Sequence, residues 1–100
     1  MGGLMKTNFY IVMNMKTAGG FEAYGRYYIG HDRDFANDLF GQLKGSSILG
    51  KEDVLHLDLM ETTNGLPLNI HVINCTLAEL GENCKIITRE LFKHMALISS

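Results

Sequence analysis

The most chemical grouping in the sequence is His56, Asp58 and His71. His56 and Asp58 stand two apart in an alternating stretch, so they share one face of a strand. A two-residue turn at Asn64-Gly65 sets Asp58 directly opposite His71, with Cβ atoms about 5 Å apart. Two imidazoles and a carboxylate can hold Zn²⁺ and leave one coordination position open. The same trio can handle a proton, with Asp58 orienting His71. The plainer expectation is a solvated face carrying one favourable His–Asp pair. Flat sheet faces exclude little water, and catalysis needs a pocket.

A second grouping is aromatic. Tyr10, Val12, Tyr24, Arg26 and Tyr28 share the far face of another hairpin, with Tyr10 opposing Tyr28 and Val12 opposing Arg26. Aromatic residues and arginine concentrate binding energy at protein interfaces. Bases also stack on aromatic sheets, but a nucleic-acid groove needs several cations for the phosphates. This face offers Arg26 and Lys16, next to Glu22. Self-association or a protein partner is therefore the expectation, ahead of an ordinary partly covered face, and nucleic-acid binding comes last.

The remaining reactive residues read as structure. Cys75 and Cys84 make no C-x-x-C pair and no zinc spacing. Across a helix they would stand about 12 Å apart, beyond disulfide reach, so two free thiols are expected. Cys75 near a helix start is read as a small buried apolar residue ahead of a stabilised thiolate. His31-Asp32-Arg33-Asp34 is helix-start chemistry, because two acids there repel an anion. No dinucleotide fingerprint, P-loop, nucleophile elbow or zincin motif is present, and no cofactor is expected.

The elements that must position these residues follow from periodicity. Asn8–Lys16 and Phe21–Gly30 alternate as strands. A three-residue loop, Ala18-Gly19-Gly20, pairs Met15 with Ala23, Met13 with Gly25, Ile11 with Tyr27 and Phe9 with Ile29, which brings both apolar faces to one side. Asp32 opens a helix whose stripe is Phe35, Leu39 and Leu43, ending at Lys44-Gly45. Leu55, Leu57 and Leu59 define the inner face of a third strand. Leu66, Leu68, Ile70 and Val72 define that of a fourth, with Pro67 at its start. Thr76-Leu77-Ala78-Glu79 is a capping box. The helix it opens runs to about Ile98, with Leu77, Leu80, Cys84, Ile87, Leu91 and Met95 as its stripe and Gly81 as a candidate for close packing. Met13, Met15 and Met95 fall on core faces.

Strand, strand, helix therefore occurs twice. The fold class is α+β: a ββαββα two-layer sandwich, a four-stranded antiparallel sheet with two helices on one face. One hundred residues suit one domain, with residues 1–7 expected as a flexible leader. Hydrophobic residues are 46% and charged residues 20%, which excludes a disordered tail and a coiled coil. No apolar run reaches the ~18–20 residues of a membrane span. Net charge is −2, so no global positive field recruits nucleic acid or anionic lipid. No secretory signal or myristoylation pattern opens the chain, and the expected compartment is the cytoplasm.

The stretches FYIVMNMKT, GFEAYGRYYIG and LHLDLMET with NGLP resemble a family of small proteins of unknown function from anaerobic gut and oral bacteria of the Bacteroides and Porphyromonas kind. The resemblance covers roughly Asn8 to Phe92. It implies a two-layer α+β protein and carries over no activity, ligand or catalytic residue. The expected function is a non-catalytic interaction protein, a homodimer joined through the aromatic face. The alternatives are a metal or hydrolytic site at His56, Asp58 and His71, or weak nucleic-acid binding.

Overall fold

A computed structural model describes residues 6–48, 50 and 53–99, the last three by their backbone alone. Its elements are β1 (Thr7–Thr17), β2 (Gly20–Gly30), α1 (Arg33–Gly41), β3 (Leu55–Thr63), β4 (Leu66–Cys75) and α2 (Leu77–Ser99). All four strands form one antiparallel sheet in the order β2-β1-β3-β4. The α+β sandwich is thus as the alternation predicts. The first strand of each repeat lies in the centre and the second at an edge. Much of the expected leader, residues 1–5, lies outside the described residues. Thr7 already belongs to β1, and Lys6 accepts a backbone bond from Asn64 at 3.2 Å.

The core lies on one side of the sheet. Phe9, Ile11, Leu55, Leu57 and Leu59 point there and meet Ala36, Leu39 and Phe40 of α1 and Ile86 and Ile87 of α2. Each leucine or isoleucine so buried contributes roughly 1.5–3 kcal/mol relative to exposure. Each helix reaches the outer strand of the other hairpin. Phe40 of α1 lies near His71 of β4, at 6.1 Å between ring centroids. The Cys84 thiol of α2 neighbours the Tyr27 hydroxyl of β2.

Local signals explain the boundaries. Asp32 caps α1, its carboxylate accepting from the Phe35 amide at 3.1 Å. The capping box of α2 is reciprocal. Thr76 donates its amide to Glu79 Oε1 at 2.9 Å, and the Glu79 amide donates to Thr76 Oγ1 at 3.2 Å. Asn64 (φ 52°) and Gly65 (φ 83°) form the expected tight turn.

Helix α1 stops at Gly41, short of the expected Lys44. Tightened bonds from Gln42 to Leu39 and from Leu43 to Phe40 end it. Asn83, fully buried on α2, then takes both backbone groups of Lys44. Its Oδ1 accepts the Lys44 amide at 2.6 Å, and its Nδ2 donates to the Lys44 carbonyl at 2.9 Å. Gly45 follows where a Cβ would meet the Asn74 carbonyl oxygen at 2.7 Å. That close approach lets Ser46 pair with Asn74 beside β4.

Three expectations about packing need correction. The α2 stripe is buried only in its middle, and Leu77 and Met95 are 64% and 65% exposed. A 23-residue helix is about 34 Å long, and Leu77 and Met95 near its two ends lie outside its packed middle. Met15 near the first hairpin's tip is 39% exposed and not part of the core. Gly81 faces open space, so close packing is not its reason.

Candidate interaction face and a divided histidine set

Bulges decide which side chains reach the open face of the sheet. In the first hairpin Tyr10 opposes Tyr28, Val12 opposes Arg26 and Met13 opposes Gly25, as the periodicity predicts. The pairing then shifts, with Asn14 against Ala23, Met15 against Glu22 and Lys16 against Phe21. The connection is thus the two residues Ala18-Gly19, and Met15 does not meet Ala23. Tyr24 is the extra residue. It turns to the helix side, where burial and then the neighbouring thiols of Cys84 and Cys75 raise its pKa. Phe21 takes a place on the open face, its ring 4.5 Å from that of His56. The expected grouping therefore loses Tyr24 and gains Phe21. A second shift puts Phe9 against Gly30, leaving Ile29 as an extra residue that is still buried.

The second hairpin slips in the same way. Leu59 opposes His71, Asp58 opposes Val72, Leu57 opposes Ile73, and Ile70 is the extra residue. His71 therefore lies on the helix side near Phe40, while His56 and Asp58 stay on the open side. The expected Asp58–His71 pair does not form, and the trio His56, Asp58 and His71 is split between two faces. Among the described residues no cluster of three or more His, Cys, Asp or Glu is arranged to hold a metal ion. The expected inner row on β4 also breaks. Leu66 and Leu68 lie on the helix side beyond the helices, 75% and 60% exposed, while Val72 is on the open side.

The open face then reads across four strands: Phe21, Arg26 and Tyr28; Tyr10, Val12 and Asn14; His56, Asp58 and Met60; Val72. Its central residues are half-buried by their neighbours alone. Arg26 lies over the Tyr10 ring, 5.2 Å from its centroid. Tyr28 donates its hydroxyl proton to Asn8 Oδ1 at 2.9 Å. His56 Nδ1 lies 2.7 Å from Asp58 Oδ1 and 3.3 Å from Asn14 Nδ2. That geometry orients one imidazole without assembling further ligands around it.

Neither Cys75 nor Cys84 is in a disulfide. Burial pushes the Cys75 thiol up to about 11, so it is held protonated and is no nucleophile. Tyr27 rises to about 12 through burial and the neighbouring Cys84 thiol. On the helix side Arg33 pairs with Glu61 at 2.6 Å and lies over Phe9, tying the start of α1 to the sheet.

Phe21, Met60 and Val72 are the members of the open face that the candidate groupings did not contain. Phe21 and Val72 were misplaced by the bulges. Met60 alternated correctly but carried no motif. Comparison with protein families, with curated proteins and with solved structures finds no match.

Proposed function

We propose that the protein is a non-catalytic interaction module that self-associates through the open face of its sheet. The observation that carries this reading is the centre of that face. Tyr10, Val12 and Met60 sit there, flanked by Phe21, Tyr28 and Val72, and no described element covers them. The charges on this face, Lys16, Arg26 and Asp58, are few and of both signs. They supply little affinity for phosphates but suit a second copy related by a two-fold axis.

Size sets the strength. Four strands about 4.8 Å apart and some 8 residues long give roughly 500 Å² per copy, near the lower limit for a specific interface. Association is therefore expected in the micromolar range. No described helix is long and apolar enough to cross a membrane. A cytoplasmic location belongs to the proposal and is supported by two unpaired thiols. Membership of the Bacteroides- and Porphyromonas-type family belongs to it too, and rests on the sequence stretches alone.

Light scattering from about 10 μM to about 1 mM tests the reading at the expected affinity. The mass should rise from 11.2 kDa toward twice that value with concentration. Val12→Asp should stay monomeric with an unchanged circular dichroism spectrum. A wild-type monomer throughout the range overturns the proposal. So does a dimer indifferent to Val12→Asp.

A further inference from the structure

A different part of the molecule carries a binding site. A cleft of about 510 Å³ opens between the end of β2, the cap of α1 and the last turns of α2. Its volume falls within the ~300–1,000 Å³ typical of small-ligand sites. Ile29, Leu91 and Met95 are its apolar surfaces. Ile29 is buried and Leu91 packs against the core, so the floor is fixed by the fold. His94 lies flat on Phe35, with ring centroids 3.8 Å apart and planes 7° from parallel. That stacking holds one wall of the cleft in place.

The polar groups at the cleft are unequal. His31 donates from Nδ1 to the Thr7 carbonyl at 2.9 Å, and its Nε2 lies 3.3 Å from the Tyr28 hydroxyl oxygen. It serves to hold Tyr28 at the rim. Asp32 spends one carboxylate oxygen on the Phe35 amide. Among the described residues its charge has no ion-pair partner, since neighbouring Arg33 is turned to Glu61. The cleft therefore joins apolar surfaces to a carboxylate that no described cation pairs with.

We infer that this cleft binds a small aromatic amine, with its ring against Ile29, Leu91 and Met95 and its ammonium on Asp32. Thioether sulfur packs well on aromatic rings. A carboxylate ligand of the same shape meets the charge of Asp32 instead and is rejected.

Titration of the ¹⁵N-labelled full chain with 2-phenylethylamine tests this, with 3-phenylpropionate as the counter-charge control. Saturable amide shifts are expected at Gly30, Asp32, Leu91 and His94, with a dissociation constant below about 1 mM, reasonable for so small a ligand. The control should bind at least about fivefold more weakly. Asp32→Asn keeps a good helix cap while removing the charge, and should weaken the amine about three- to fivefold. Met95→Lys, at an exposed position, should abolish binding. Shifts that do not saturate, shifts confined to the open sheet face, or equal binding of amine and carboxylate would overturn the inference. So would both variants binding as the wild type does.

Discussion

The two faces of β3 differ by one step along the chain and almost entirely in environment. Leu55, Leu57 and Leu59 are fully buried beneath the helices. His56, Asp58 and Met60 alternate with them and are covered only by their neighbours on the sheet. Side alone does not produce burial, however. Leu66 and Leu68 lie on the helix side, yet past the ends of the helices, and stay exposed. A strand side chain contributes to stability when a second layer lies over it. The helix layer covers the middle of the sheet and leaves its hairpin tips bare.

Three measurements break or sharpen that contrast. The largest effect is expected at Leu57→Ala, which opens a cavity under both helices. A loss of about 2–5 kcal/mol in urea unfolding is expected. A loss below about 1 kcal/mol would show that the covered side is not close-packed.

A smaller effect comes from pH. The Cys75 thiol titrates near 9.0 in an open chain and about 11 when buried. Below the lower value both states hold the proton, and this group adds no pH dependence. Between the two values the unfolded chain has lost the proton and the folded chain keeps it. Stability therefore falls as pH rises through that window. Tyr27, raised from 10.0 to about 12, adds a loss of the same sign at higher pH. Urea midpoints at several alkaline pH values measure the slope, and Cys75→Ala should flatten its lower part. The smallest effect is expected at Leu68→Ser, within about 0.5 kcal/mol because no second layer is lost. A large loss there would mean that side, and not covering, decides.

Most of the elements could be read from residue order because each has a local cause. Alternation marks the strands, Asn64-Gly65 closes the second hairpin, and Thr76 with Glu79 opens α2. The bulges could not be read. A strand with an extra residue still alternates on either side of it, and Ile70 is apolar enough to suit either face. Strict alternation therefore carried Tyr24 and His71 to the wrong side while leaving Tyr10, Val12, Arg26 and Tyr28 correctly placed. The proposed metal trio depended on register across a whole hairpin and failed with it. The aromatic face depended mostly on pairs between the two bulges of β2, and those persisted. Strand order had no local signature at all, because β1 meets β3 through contacts far apart in the chain.

Asn83 bears on how the two repeats become one molecule. Its side chain closes on Lys44, 39 positions earlier, across the connection that leads from the first repeat to the second. The backbone groups of Lys44 gain these two partners only when α2 has docked. The first strand–strand–helix unit thus reaches the end of its own helix with its exit unfinished, and its completion waits on the last element of the chain. The repeats are consequently expected to appear and disappear together in hydrogen exchange, as one cooperative unit, with no protected half-molecule outlasting the other.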